Sequence, residues 1–227
     1  MRFKIFDLGL VDYKNAWDFQ REVHQAVKNK FYSAGLVLCQ HNPVITLGRA
    51  VNKNNILSSE ADLKLKGIQF YQTERGGDIT YHGPGQLTIY PVIDLAYFKK
   101  DIHLFLRYLQ QTAIDLLSEF GIEGKMIPGL TGTWVNGQKI ASIGIAIKNW
   151  VTFHGLSINI KNYDLLNYGL IRPCGMDIKM TSLETLLKKD VQIKDIKERV
   201  IHIMERHKVE QGGNHGQNSL TGIRGRD

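Results

Sequence analysis

Apolar residues three or four positions apart mark three stretches of this chain, which are 16–27, 102–120 and 196–207. This spacing predicts helices that bury one face. The first helix is expected to end before Gly35 and the second before Gly121, because glycine accepts the left-handed backbone of a helix stop. A further helix is predicted to begin at Thr181-Ser182-Leu183-Glu184, where the Thr181 hydroxyl and the Glu184 carboxylate would form a capping box.

Short runs of β-forming residues predict strands between these helices. The runs 36–39 and 44–47 flank His41-Asn42-Pro43, where proline forces a turn, and they predict a hairpin. Further strands are expected over 86–95 and on both sides of Asn136-Gly137, a pair typical of a two-residue type I′ hairpin. A turn at Lys148-Asn149-Trp150 leads to the alternating run 151–160. Because strict βαβ alternation is missing, this order predicts an α+β fold with a mixed, mainly antiparallel sheet covered by helices.

The chain of 227 residues is 43% hydrophobic, which suits one compact domain. That domain is predicted over 1–209, and a polar, glycine-rich tail over 210–227 is expected to be disordered. The first seven residues are too polar for a secretion signal, and no run approaches the roughly 18 apolar residues of a membrane span. We therefore expect a soluble, cytoplasmic monomer.

Charge and cysteine content narrow the function classes. Lys and Arg number 29 against 22 Asp and Glu, and the net charge of +7 favours an anionic partner. The basic residues are scattered, without the aromatic-interleaved patch of a nucleic-acid-binding module, which disfavours that class. Two cysteines, Cys39 and Cys174, without a CxxC pair or a Cys/His ladder, predict neither a disulfide framework nor a metal site. They fit a reducing cytoplasm.

A glycine-rich stretch from Glu74 to Gln86 is the densest cluster of candidate binding residues. Glycine lets backbone amides approach a ligand closely, and Arg75 and His82 can meet an anion or a carbonyl group. An ordinary tight surface loop is the alternative. The stretch matches neither the P-loop nor the GxGxxG pattern, so it gives no support for ATP binding.

Cys174 is a candidate nucleophile because it lies on a loop shaped by Pro173 and Gly175. Arg172 beside it would favour the thiolate. The alternative for a lone cysteine is a small buried hydrophobic residue. That interpretation fits Cys39 better, within the apolar run 36–39.

Lys139 opens the apolar run 140–147 directly after the predicted hairpin. If this strand end faces the Cys174 loop, the two residues form a nucleophile and its base. A solvated lysine at a strand boundary is the alternative. His154 is predicted by alternation to face opposite Phe153, and a lone strand histidine is interpreted as structural.

Four separate motifs, in the same order, resemble those of the lipoyl(octanoyl) transferases, the LipB family of lipoate biosynthesis. They are Arg75-Gly76-Gly77-Asp78-Ile79-Thr80-Tyr81-His82-Gly83-Pro84-Gly85-Gln86, Gly137-Gln138-Lys139-Ile140-Ala141-Ser142-Ile143-Gly144, His154-Gly155-Leu156-Ser157-Ile158-Asn159 and Arg172-Pro173-Cys174-Gly175. The resemblance runs from about His41 to Thr181. It implies a fold like that of the catalytic domain of biotin and lipoate protein ligases.

Carried over by position, the resemblance implies that Cys174 is the acyl-thioester nucleophile. Lys139 would lower the pKa of that thiol and handle protons. The octanoyl pocket would be lined by Arg75, Gly76, Gly77, Asp78, Ile79, Thr80, Tyr81, His82, Ser142, Ile143, Gly144, Gly155, Leu156 and Ser157.

The implied reaction moves an octanoyl group from octanoyl-acyl carrier protein to a lysine of lipoyl domains. The implied acceptors are the lipoyl domains of 2-oxoacid dehydrogenase E2 subunits and the glycine cleavage H protein. No cofactor is expected, because the acyl group arrives as a thioester on the phosphopantetheine of the carrier protein. An ATP-dependent lipoate or biotin ligase of related fold is the alternative, and no nucleic-acid or membrane partner is expected.

Overall fold

The computed structural model describes residues 2–206, and ten strands and five α-helices lie within this range. In chain order, the strands are β1 (Lys4–Val11), β2 (Ala34–His41), β3 (Val44–Leu47), β4 (Gln69–Gln72), β5 (Ile79–His82), β6 (Gln86–Ile93), β7 (Lys125–Ile127), β8 (Leu130–Val135), β9 (Gln138–Lys148) and β10 (Val151–Asn159). The α-helices are α1 (Tyr13–Lys28), α2 (Glu60–Leu65), α3 (Ile102–Ser118), α4 (Leu183–Leu187) and α5 (Ile193–Arg206). The predicted tail over 210–227, and His207 of the predicted last helix, lie outside the described residues.

The described strands form two sheets of unequal size. The larger has the order β1-β2-β6-β10-β9-β8-β7, and the smaller has the order β4-β3-β5. Only the β1–β2 and β3–β4 pairs are parallel among these described strands. The predicted α+β class, with a mixed and mainly antiparallel sheet, is confirmed.

Helices cover both faces of the larger sheet because its central strands bury side chains on both sides. Leu36 and Leu38 of β2 pack in one apolar cluster with residues of α3 and α5. Val37 and Cys39, which alternate with them, pack in a second cluster with residues of α1. The interpretation of Cys39 as a packing residue is confirmed, and its side chain is fully buried.

The hairpin predicted over 36–39 and 44–47 is wrong. Strand β2 lies between β1 and β6, so both of its edges are already paired. Strand β3 therefore has no free edge of β2 to join, and it pairs with β4 and β5 in the smaller sheet. The chain passes from one sheet to the other at Pro43, whose carbonyl accepts a hydrogen bond from the Gln69 amide at 2.9 Å.

The other predicted turns are local, and the structure contains them. Asn136 and Gly137 have positive φ values of 49° and 76° between β8 and β9. Asn149 and Trp150 have φ values of 53° and 62° between β9 and β10. Both pairs suit type I′ turns, because this turn needs positive φ at its two central residues.

The predicted capping box at 181–184 is wrong, and the N-cap lies one residue later than expected. Ser182, not Thr181, is the N-cap of α4, and its hydroxyl accepts a hydrogen bond from the Thr185 amide at 3.1 Å. The Glu184 carboxylate instead accepts a hydrogen bond from the Asn162 amide at 2.9 Å. This contact ties the start of α4 to the loop that follows β10.

No helix within residues 2–206 is long and apolar enough to span a membrane.

Candidate active site

A cavity of about 780 Å³ lies where β5 and the glycine-rich loop before it meet β9 and β10. Of the predicted pocket residues, those that line it are Arg75, Gly76, Gly77, Asp78, Ile79, Thr80, His82, Ser142, Ile143, Gly144, Gly155, Leu156 and Ser157. Lys139, Pro173 and Met176 line the same cavity. Three of the four sequence motifs therefore meet around one space, together with Pro173 of the fourth motif and Met176 directly after it.

Tyr81 is the predicted pocket residue that the structure places outside this lining. Its buried hydroxyl donates to the Asp164 carboxylate at 3.1 Å and accepts a hydrogen bond from the Asn167 side chain at 2.8 Å. Because side chains alternate along β5, Tyr81 faces away from Thr80 and His82. It supports the cavity wall from behind.

The glycine-rich loop is fixed between the two sheets by backbone and side-chain hydrogen bonds. The Gly76 amide donates to the Ile145 carbonyl of β9 at 2.8 Å. The buried Arg75 guanidinium donates to the Thr46 carbonyl at 2.6 Å and to the Gly76 carbonyl at 3.0 Å. Gly144 packs against this guanidinium, and a Cβ atom there would lie 3.1 Å from Arg75 Cδ. Arg75 thus holds the wall of the cavity in shape.

Lys139 is buried at the start of β9, with 6% of its surface exposed. Its ammonium lies 5.5 Å from the centre of the Trp134 ring. The side chain passes over Gly132, where a Cβ atom would lie 2.5 Å from Lys139 Cε. Gly132 has a φ of +129°, a backbone conformation that L side chains rarely adopt. This glycine makes room for the lysine, and sequence reasoning missed it.

Backbone contacts tie the two ends of the Cys174 loop to neighbouring segments, and the segment after the loop pairs with the strand that carries Lys139. After the loop, the Lys139 amide donates to the Lys179 carbonyl at 2.9 Å, and the Thr181 amide donates to the Lys139 carbonyl at 3.0 Å. Before the loop, the Arg172 amide donates to the Asn55 carbonyl at 2.8 Å. These contacts place residues 179–181, which follow the Cys174 loop, beside Lys139, and the nucleophile–base hypothesis stays a prediction.

Asp78 connects the glycine-rich loop with the Cys174 loop through Asn55. Its carboxylate accepts hydrogen bonds from the Asn55 side-chain amide and, at 3.1 Å, from the Asn52 backbone amide. Asn55 is itself buried and carries the backbone contact to Arg172. Asp78 thereby positions the segment that leads to Cys174.

The cavity ends, away from Lys139, in a buried polar cluster that contains His154. The His154 ring has one nitrogen 3.6 Å from the Glu74 carboxylate and the other 3.5 Å from the Tyr13 hydroxyl. Glu74 also accepts a hydrogen bond from the Trp17 indole at 3.3 Å and lies 3.6 Å from the Arg21 guanidinium. Partial burial opposes ionisation of Glu74, yet the neighbouring His154 and Arg21 hold the pKa of its carboxyl below the usual range.

His154 lines the cavity because β10 is irregular at this position. The pairs Leu156–Ile89 and Val151–Asp94 leave Pro91 opposite His154, and proline has no amide to complete the ladder. The Pro91 carbonyl accepts a hydrogen bond from the Thr152 hydroxyl at 2.8 Å, and the His154 amide donates to the Gln20 side chain at 2.8 Å. His154 has a φ of +56°. Its ring centre lies 5.0 Å from that of Phe153, so the predicted opposite orientation is wrong. Pro91 inside an apolar run was the available signal.

The buried histidines of this region are expected to make the fold less stable in acid. Burial lowers the pKa of His154, lowers that of His82 well below 6.5, and lowers that of His41 to about 4. Below pH 6.5 the unfolded chain therefore binds more protons than the folded chain. As the pH falls below 6.5, each such histidine should lower the free energy of unfolding by about 1.4 kcal/mol per pH unit, until the pH reaches the pKa of that histidine in the folded protein.

Urea unfolding at pH 7 and pH 5 tests this expectation. The free energy of unfolding should be lower at pH 5 than at pH 7. Equal stability at the two pH values would show that these rings become protonated in the folded protein.

Comparisons with known proteins agree with this fold and these motifs. Residues 12–205 match the family model described as the lipoyl protein ligase A/B catalytic domain. An octanoyltransferase from Solibacter usitatus is 43% identical over 179 residues, which cover 79% of this chain and 81% of that protein. One from Thermoanaerobacter sp. is 40% identical over 201 residues, which cover 87% and 86% of the two chains.

Two kinds of solved structure share the fold at low sequence identity. Lipoate-protein ligase A bound with ATP has a TM-score of 0.67 at 14% identity, covering 90% of this chain and 85% of that chain. Biotin protein ligase from Aquifex aeolicus, in complex with biotin and ATP, has a TM-score of 0.52 at 11% identity. The match covers 92% of this chain and 71% of that chain. The expected likeness to the ligase catalytic domains is confirmed at the level of the fold.

Proposed function

Because this chain belongs to the octanoyltransferases of the lipoyl protein ligase A/B family, we propose that it transfers octanoyl groups through a thioester on Cys174. In the first step, the Cys174 sulfur bonds to the acyl carbon of the donor, and the bond from that carbon to the phosphopantetheine sulfur breaks. In the second step, the acceptor lysine nitrogen bonds to the acyl carbon and the Cys174 thiol is released. The thioester exchange is nearly balanced in energy, and the final amide draws the reaction forward.

Lys139 is the proposed proton carrier of both steps. A nearby ammonium stabilises a thiolate, because the opposite charge favours the ionised form of the thiol. In the first step the proton of Cys174 passes through Lys139 to the departing phosphopantetheine thiol. In the second step the acceptor amine loses its proton to Lys139, which returns it to Cys174. The pairing of the Lys139 backbone with residues 179–181 supports this assignment.

The cavity walls suit an apolar acyl chain that carries a reactive carbonyl at one end. Apolar residues of β9 and β10, among them Ile143, Ile145 and Leu156, line the space for the chain. Backbone amides of the glycine-rich loop or near Cys174 would stabilise the oxyanion of the tetrahedral intermediate. Each such donor is worth about 3 kcal/mol in known enzymes.

We further propose that the donor is octanoyl-acyl carrier protein and that the acceptors are lipoyl domains of 2-oxoacid dehydrogenases and the glycine cleavage H protein. The net charge of +7 suits partners with acidic surfaces. The donor supplies an activated thioester, so the transfer needs no further cofactor. The reducing cytoplasm, which keeps the Cys174 thiol available, is the proposed compartment.

The observation that carries this proposal is the meeting of Lys139 with the Cys174 segment at one cavity. Intact-mass analysis after incubation with octanoyl-acyl carrier protein tests it. Without ATP, the protein should gain one octanoyl group. When a lipoyl domain with an unmodified lysine is then added, the octanoyl group should pass to that lysine. A wild-type protein that gains no adduct would contradict the proposal. The ligase alternative predicts instead that Cys174→Ser attaches free octanoate to a lipoyl domain when ATP is supplied.

A further inference from the structure

A second cavity of about 390 Å³ forms a groove between α3 and the β7–β8 hairpin. It shares Leu106, Gly129, Leu130 and Thr131 with the lining of the catalytic cavity. The groove therefore adjoins the catalytic cavity, and Thr131, which lines both, directly precedes Gly132, over which the Lys139 side chain passes.

The two walls of this groove differ in chemistry. His103, Arg107 and Gln110 of α3 line one wall, and their spacing of four and three residues places them on the same helix face. The other wall is mainly apolar and runs from Met126 to Leu130. Arg107 is exposed, and it makes no ion pair with any described residue. Such a surface fits a long chain of moderate polarity that carries an anionic group.

We propose that this groove binds the phosphopantetheine arm of the acyl donor, with the Arg107 guanidinium holding its phosphate. The inference rests on the proposed function, because only a carrier-bound thioester donor brings such an arm. Guanidinium groups are well suited to phosphate, since they offer planar, paired donors. The amides and methyl groups of the arm would lie along the apolar wall.

The length of the arm agrees with the position of the groove. The Lys139 side chain passes over Gly132, and Leu130 lies two residues earlier on β8. At about 3.3 Å per strand residue, the groove begins about 7 Å along the strand from the lysine side chain. Roughly a dozen bonds separate the sulfur of the arm from its phosphorus, which gives an extended reach of about 15 Å. The thioester can then lie beside Lys139 while the phosphate lies at the groove.

The acceptor lysine does not fit this groove equally well. Its side chain carries a cation, which Arg107 would repel, and its reach of about 6 Å is too short to follow the groove to the catalytic cavity. The donor and acceptor should therefore depend differently on Arg107. This difference makes the proposal testable within one enzyme.

Single-turnover formation of the octanoyl adduct, with two small donors, tests the proposal. The donors are octanoyl-phosphopantetheine and octanoyl-pantetheine, which lacks the phosphate. With the phosphorylated donor, Arg107→Ala should lower kcat/KM about ten-fold, mainly through KM, because one charge-assisted contact is lost. With octanoyl-pantetheine, Arg107→Ala should leave kcat/KM unchanged. Lys28→Ala, which removes an exposed cation from α1, should leave both donors unchanged.

The second half-reaction separates this proposal from the proposed function. Arg107→Ala that has already been octanoylated should transfer its acyl group to a lipoyl domain at the wild-type rate. An equal loss of kcat/KM with both donors would overturn the role of Arg107. So would a slower transfer to the lipoyl domain with no loss of kcat/KM toward either donor. If the wild-type protein forms no adduct with any donor, the thioester mechanism fails instead.

Discussion

Cys174→Ala should form no octanoyl adduct with octanoyl-acyl carrier protein and should lose at least about a thousand-fold in transfer rate. The loss is this large because the proposed reaction passes through a covalent bond to the Cys174 sulfur. Cys39 cannot replace it, since burial raises the pKa of the Cys39 thiol and the packing of α1 covers it. Only the catalysis that the cavity supplies by positioning and oxyanion stabilisation should remain.

Intact-mass analysis and a transfer assay on the same samples measure this effect. Cys39→Ala is the matched control, and it should keep both the adduct and the transfer, because the buried Cys39 sulfur contacts His41 Nε2 at 3.5 Å and neither residue lines the catalytic cavity. Cys174→Ser should form at most a slow ester adduct, since a serine hydroxyl is a weaker nucleophile than a thiolate. Undiminished transfer by Cys174→Ala would require direct attack of the acceptor lysine on the donor.

Of the two predicted hairpins, the one at Asn136-Gly137 is present and the one over 36–39 and 44–47 is not. The first depends only on neighbouring residues, and the second depends on distant strands. Asn136-Gly137 specifies its turn by the φ values that these two residue types accept, and no distant residue has to agree. The turn at Pro43 is also visible in the sequence, but the partner of β3 is not. That partner depends on β1 and β6 having already paired with both edges of β2. Strand pairing is therefore the part of this fold that a local pattern could not predict.

The site shows the same limit. Nearly all of the predicted pocket residues line the cavity, because a glycine-rich loop and a glycine-containing strand can be recognised without knowing what they face. The spatial relation between Lys139 and the Cys174 loop depends on the bridge from Lys139 to residues 179–181, which joins segments about forty positions apart. His154 was misjudged because alternation holds only in a regular strand, and the break originates at Pro91 on a neighbouring strand.

Lys139→Ala is expected to slow adduct formation at least about a hundred-fold at pH 7 while leaving the fold intact. The ammonium of Lys139 is the proposed source of thiolate stabilisation, so the variant should regain part of its rate as the pH rises toward the ordinary thiol pKa of about 8.5. The measurement is the pH profile of adduct formation in single-turnover conditions. Lys148→Ala, at the exposed far end of the same strand, is the matched control and should keep the wild-type profile.

Gly132→Ala tests the same role without removing the lysine. A methyl group at this position would lie 2.5 Å from Lys139 Cε and from the Ala141 carbonyl oxygen, so the lysine side chain has to move. Adduct formation should slow in this variant, and the loss should again shrink at high pH. Thermal unfolding separates this effect from strain at the positive φ of Gly132, which lowers stability but does not change the pH profile. If both variants lose rate equally at every pH, Lys139 supports the shape of the site rather than the ionisation of Cys174.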